Sequence, residues 1–161
     1  MTPAFDAAIV QLLVSPVHRW AGRPDPAGPV ADDTTDEIGV RAGLGVVGDR
    51  YFNRPAHRDA SVTVMAAEAL AGWEGGLART RRTVLLRGVD VDAAPGRTLS
   101  LDSGTGPVRL RLNRRAHPCA WLDVALGPGA WKALRGRGGM RCTPLTDGTL
   151  RVGPVRVEWL D

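Results

Sequence analysis

Residues 61–65 (SVTVM) and 108–112 (VRLRL) alternate polar and apolar side chains, the period-two pattern of a strand with one face in a core. Residues 8–15 (AIVQLLVS) form an apolar run of strand length, and residues 82–87 (RTVLLR) read as another strand. Shorter strand segments follow at 37–41, 97–101, 140–145, 149–152 and 155–159. Turn chemistry separates them. Asp102-Ser-Gly-Thr-Gly106 joins 97–101 to 108–112 as an antiparallel pair, and Asp147-Gly148 is a hairpin signal. Residues 43–48 turn sharply, residues 92–96 form a turn, and residues 17–36 and 53–59 (NRPAHRD) read as loops. A helix is predicted over residues 66–77 (AAEALAGWEGGL), weakened towards its end by Gly72, Gly75 and Gly76. Two short helices are predicted at 120–126 and 129–134, separated by Gly127-Pro128. No repeat and no linker divides the chain. The pattern predicts one domain over residues 1–161: mainly β, mostly antiparallel, a closed or nearly closed barrel with a few short helices.

Composition agrees with that class. A chain of 161 residues with 43% hydrophobic content can build a core without disulfide or metal staples. The 20 glycines and 12 prolines favour turns and short strands over a helical bundle. Cys119 and Cys142 are too few for a disulfide scaffold and their spacing matches no zinc motif, so a reducing, cytoplasmic setting is expected. Residues 1–15 carry Asp6 and no positively charged leader, so no signal peptide is expected. No apolar run approaches the roughly 20 residues that span a bilayer, and no membrane association is expected. The net charge is +4, and Lys132 is the only lysine among 21 basic residues. Arginine used so heavily reads as a general surface cation or, at some positions, as a bidentate clamp for phosphate or carboxylate. Basic and acidic residues are interspersed and no basic tail stands out, which argues against a nucleic-acid partner.

Cys119 leads the residues that can carry chemistry. It follows Pro118 and opens an apolar, helical segment, where the positive end of a helix favours a thiolate. Arg114, Arg115 and His117 add positive charge nearby in sequence. The thiol reads equally as a soft metal ligand or sulfur nucleophile and as a small buried hydrophobe. Cys142, in Met140-Arg-Cys-Thr-Pro144, reads as core packing. In Gly48-Asp49-Arg50, Asp49 caps the turn or orients Arg50, and Arg50 is either an anion grip or half of an ordinary ion-paired turn. Arg81 and Arg82 precede a strand and face opposite ways, so one of them can reach a barrel mouth. Arg135-Gly-Arg137-Gly-Gly139 reads as a phosphate nest or as an exposed loop. His18, His57 and His117 show no metal-binding spacing. No nucleophile elbow, P-loop or dinucleotide fingerprint is present. Lys132 is the only residue able to form a Schiff base and reads as a surface residue, so pyridoxal phosphate is not expected.

Taken in order, these pieces resemble the MOSC domain family, named for the C-terminal domain of molybdenum cofactor sulfurases, over residues 8–159. Residues 45–51 (GVVGDRY) are similar to its Gly-x-x-Gly-Asp-Arg-His/Tyr element. Residues 59–70 are similar to its strand and following helix, with Glu68 at the family's glutamate. Arg81-Arg82-Thr83 is similar to its Arg-Arg-Asn element, and residues 88–96 to the turn beyond the next strand. Cys119 stands at the family's cysteine, while Arg137-Gly138-Gly139, Asp147-Gly148 and Val152-Gly153 resemble its closing strands. The chain departs from the pattern at Thr83, where asparagine is usual, and at Gly153-Pro154, where Gly-Asp is usual.

The resemblance implies a MOSC-type β-barrel-like domain, a molybdenum cofactor (molybdopterin) and a small-molecule substrate. It implies Cys119 as the molybdenum ligand or persulfide carrier, with Arg50, Arg82, Arg137 and Asp49 at the cofactor's phosphate. The aminotransferase-like half of the sulfurases is absent, so a stand-alone domain is expected, unable to draw sulfur from cysteine by pyridoxal chemistry. Three functions compete. The first is reduction of N-hydroxylated or N-oxide compounds with electrons from a donor protein. The second is sulfur carriage, with Cys119 loaded by a cysteine desulfurase and unloaded to a biosynthetic acceptor. The third is a non-catalytic binding module, for which Thr83 is the main support.

Overall fold

The structure, a computed structural model, describes residues 3–17 and 32–161. Most of the predicted loop at 17–36, and His18 with it, lies outside the described residues. The strands are β1 (Phe5–Leu13), β2 (Thr34–Thr35), β3 (Glu37–Arg41), β4 (Gly45–Val46), β5 (Val62–Ala66), β6 (Val84–Arg87), β7 (Thr98–Asp102), β8 (Pro107–Arg115), β9 (Met140–Pro144), β10 (Gly148–Arg151) and β11 (Gly153–Trp159). Among the described residues three short helices accompany them: α1 (Gly76–Thr80), α2 (Trp121–Ala125) and α3 (Ala130–Ala133).

Seven strands close a barrel in the order β1-β11-β7-β8-β9-β5-β6, with β6 returning to β1. This is the closed, mainly β architecture that the strand pattern predicts. Strand β2 extends the edge of β1, and β10, β3 and β4 make a separate three-stranded sheet. All barrel pairings are antiparallel except β5–β6. That parallel pair needs a crossover, and α1 lies in it.

Burial explains which strands alternate. The barrel interior is filled by Ile9, Leu12, Val62, Val64, Val84, Leu86, Leu110, Leu112, Met140 and Cys142 among others. A second cluster packs outer-face residues Leu13, Met65 and Leu85 under Leu77, Leu122 and Leu134 of the helical side. Strands β1, β5 and β6 are therefore apolar on both faces, and each fully buried leucine contributes roughly 1.5–3 kcal/mol. Strand β8 exposes Arg109 and Arg111 and keeps the alternation Val108-Arg-Leu110-Arg-Leu112, apolar inward and cationic outward.

Two sequence expectations fail for identifiable reasons. No helix spans 66–77: residues 67–70 make one 3-10 turn and α1 starts only at Gly76. Gly72 and Gly75 have φ of 87° and 98°, which the interior of a right-handed helix does not accommodate. At Gly76 a Cβ would sit 2.0 Å from Gln11 Oε1, the atom that accepts the Leu77 N–H at 2.9 Å and so starts α1. Asp147-Gly148 does turn the chain, yet β10 pairs with β3 rather than folding back on β9. Both sides of β9 are already taken, by β5 and β8.

Candidate functional site

The turn after β4 is organised by Asp49. Its carboxylate accepts the Ser15 N–H at 3.0 Å, the Tyr51 N–H at 3.1 Å and an Arg50 guanidinium N–H at 3.2 Å. The Arg50 N–H in turn donates to the Ser15 carbonyl at 2.9 Å. Asp49 is thus a buried anchor for the turn, and Arg50 is the residue it presents. The Arg50 guanidinium lies 4.3 Å from the Tyr51 ring centroid, and Tyr51 stacks on His57 at 4.4 Å. Arg50 Nε is buried without a hydrogen-bond partner.

Arg81 and Arg82 hold different partners, yet both border the cleft described below, where the sequence allowed for one. Arg81 closes α1 in the left-handed region at φ 59°. Its guanidinium bonds the Ala78 carbonyl, the Ser15 hydroxyl and the Asp33 carboxylate. Arg82 donates instead to the carbonyls of Gly138 (2.8 Å), Thr80 (3.2 Å) and Ala116 (3.5 Å). Of the five guanidinium N–H groups this leaves about two for a ligand. Burial and then the nearby Arg141 cation push Arg82 down to about 10, so it remains charged at neutral pH.

The segment that carries Cys119 is held at several points. The Ala116 N–H donates to the Gly139 carbonyl at 2.9 Å, the Trp131 indole N–H to the Pro118 carbonyl at 3.1 Å, and the Leu122 N–H to the Cys119 carbonyl at 3.0 Å. Cys119 is exposed two residues before the five-residue helix α2. Cys142 is buried inside the barrel, and burial pushes its thiol up. A thiol reagent is therefore expected to label Cys119 rapidly in the native protein and Cys142 only after unfolding, and mass analysis of the labelled peptide reads this directly. Labelling of neither cysteine before unfolding would favour the non-catalytic module.

These segments converge on one cleft of about 300 Å³, at the small end of ligand pockets. Arg50, Arg81, Arg82, Arg141, His57, His117 and Cys119 line it, with Ser61, Thr63 and Thr83 among the rest, and no carboxylate does. Its wall is the outer face of the barrel, not the mouth that the sequence suggested. Val62, Val64, Met140 and Cys142 fill the interior, so Thr63 and Arg141, which alternate with them, point out.

The remaining sequence candidates lie elsewhere or act indirectly. Arg137 is exposed and not among the cleft residues. The glycines after it have a packing role: a Cβ on Gly138 would lie 2.2 Å from the Ala116 carbonyl oxygen, and one on Gly139 2.2 Å from that of Val64. Thr83 exchanges hydrogen bonds with Thr63, each backbone N–H donating to the other's hydroxyl at 3.0 Å, so its side chain helps join β5 to β6. Pro154 sits opposite Ala8 in the β1–β11 ladder, away from the cleft. Glu68 accepts the Gly88 N–H at 2.9 Å. Sequence reasoning missed Ser61 and Arg141. The only signal for Arg141 was a lone cation between Met140 and Cys142, two core residues of an alternating strand.

The seven-stranded closed barrel with its short helices is consistent with the MOSC-type barrel that the sequence resemblance implies. The YuaD protein from Bacillus subtilis superposes with a TM-score of 0.70 at 15% identity, over 100% of both chains. YiiM from Geobacillus stearothermophilus gives 0.63 at 14% identity, over 99% of this chain and 76% of its own. YiiM from Escherichia coli gives 0.57 at 12%, over 96% and 70%. At these identities the likeness is one of fold. No family model matches the sequence, and no curated protein matches it. No helix among the described residues is long and apolar enough to cross a membrane.

Proposed function

We propose that the cleft binds the molybdenum cofactor, with Cys119 as the protein's ligand to the metal and Arg50 and Arg82 facing its phosphate. The observation that carries this reading is an exposed thiol on a cleft lined by four arginines and no carboxylate. The donor set fits such a group. Arg50 Nε and Ser61 Oγ are buried polar atoms without partners, and a buried unpaired donor is stabilised by a ligand that accepts from it. Among the described residues no group of three or more His, Cys, Asp or Glu could hold a metal ion. A metal on Cys119 would take its other ligands from the organic cofactor. When bound, the cofactor supplies the redox chemistry, and the chain supplies a ligand, an anion grip and a shaped wall. N-hydroxylated compounds are the proposed substrates, reduced with electrons from a donor protein.

The exposure of Cys119 favours one second reading, sulfur carriage. There the thiolate would attack the outer sulfur of a desulfurase persulfide, take that sulfur and release the donor's thiolate. Arg50→Ala separates the two. The cofactor reading expects the variant to lose most of its pterin on purification while Cys119 still accepts sulfur from a persulfide donor. Intact pterin content with failed persulfide transfer would overturn it in favour of sulfur carriage.

A further inference from the structure

Ser61 is 2% exposed, lines the cleft, and its hydroxyl has no hydrogen-bond partner. A hydroxyl left buried and unpaired destabilises the fold, so its retention calls for a reason. Its position is fixed tightly. Gly45 packs against it at φ 114°, where even a Cβ would come within 3.0 Å of the Ser61 Cβ.

The β5–β9 register decides what lies beside it. Thr63 is the direct partner of Arg141, and Ser61 precedes Thr63 by two residues on the same outer face. Ser61 and Arg141 are thus a diagonal cross-strand pair, their Cα atoms roughly 7–8 Å apart. An oxyanion placed between them can accept from both. Arg141 is half-buried and has no ion-pair partner among the described residues, whereas Arg50, Arg81, Arg151 and Arg156 each have a carboxylate. It also lies close enough to Arg82 for the two cations to repel. Two like charges and an unsatisfied hydroxyl, facing one cleft without an acid on its wall, are unfavourable alone and complementary to a single anion.

We infer that Ser61, Arg82 and Arg141 form an oxyanion subsite that takes a phosphate, sulfonate or carboxylate group of the cleft's ligand. The inference rests on the reading of this cleft as the ligand site, and it gives Arg141 and Ser61 roles that the sequence resemblance does not. Two sources can present the anion: the phosphate of the cofactor, or an anionic group on the substrate.

The test is calorimetric titration of inorganic phosphate into pterin-free protein, with chloride adjusted to constant ionic strength. Wild type should bind phosphate saturably. Arg141→Ala should weaken binding by about 10-fold or more, and Ser61→Ala by about 3- to 10-fold, as expected for a charge-assisted and a neutral hydrogen bond. Arg151→Ala, at an exposed arginine already paired with Glu37, should bind as wild type does. Should Arg141→Ala fold poorly, Arg141→Lys and Ser61→Ala carry the test. Absence of saturable phosphate binding by wild type, or equal affinity in wild type and both cleft variants, would overturn the subsite. Pterin content of Arg141→Ala made in a cofactor-competent host then names the source. A fall in pterin assigns the subsite to the cofactor phosphate; unchanged pterin with lost phosphate binding assigns it to the substrate. Arg141-dependent phosphate binding by a wild type that never acquires pterin would sink the cofactor reading and leave the subsite standing.

Discussion

Gly139→Ala is expected to destabilise the protein by about 3–5 kcal/mol, a loss confined to a few mechanisms such as core overlap and forbidden backbone. Gly139 has φ 90°, and a Cβ there would lie 2.2 Å from the Val64 carbonyl oxygen and 3.1 Å from the Met65 Cα. Both obstacles are backbone of β5, so no side chain can swing away. The strands would have to part beside the cleft. Gly139 also donates to Asp92 at 2.9 Å and accepts from Ala116, the first residue of the segment leading to Cys119. Damage there should reach the thiol as well as the barrel. Gly136→Ala is the control. Its φ is 73° but its Cβ would meet nothing within 4 Å, so only the left-handed backbone is penalised, by about 1–2 kcal/mol. Thermal unfolding should show a fall of roughly 10 °C for the first and a few degrees for the second. Equal effects would mean that backbone conformation alone, and not the close approach to β5, makes glycine necessary at 139.

The barrel was legible because its strands announce themselves locally. A period-two pattern such as Ser61-Val-Thr-Val-Met65 or Val108-Arg-Leu-Arg-Leu112 fixes strand and facing together. What failed needed information from elsewhere in the chain. Residues 66–77 carry an apolar composition that suits a helix, but Gly72 and Gly75 turn the chain at positive φ, and Gly76 makes room for Gln11 at the start of α1. Asp147-Gly148 signals a local hairpin, and the choice of β3 as partner for β10 depends on β9 being flanked already.

The site divides in the same way. The structure brings Cys119, Arg50 and Arg82 to one cleft from three separate segments, with Asp49 beneath Arg50 as the anchor of its turn. Arg137 reads as a phosphate ligand in sequence because glycines follow it. Those glycines instead admit the close approach of Ala116 and Val64, and Arg137 stays outside the cleft lining. Ser61 and Arg141 are eighty residues apart in sequence and meet only through the β5–β9 register. No local pattern encodes that meeting. The same register places the cleft on the barrel wall, where the segment before α2 brings Cys119 to the cleft that Thr63 and Thr83 also line.

The central claim is that Cys119 in this arginine-lined cleft holds a molybdenum-bearing pterin, and its most direct test is metal and pterin content. Wild type and Cys119→Ser would be purified side by side from a host that makes the cofactor. A thiolate is a soft ligand with strong affinity for such a metal, and an alcohol is a poor substitute. The serine hydroxyl is nearly isosteric and Cys119 is exposed, so the variant should fold and melt as wild type does. The account predicts near-stoichiometric molybdenum and pterin in wild type and a loss of about ten-fold or more of molybdenum in Cys119→Ser. Molybdenum absent from both proteins, or equal in both, would contradict it.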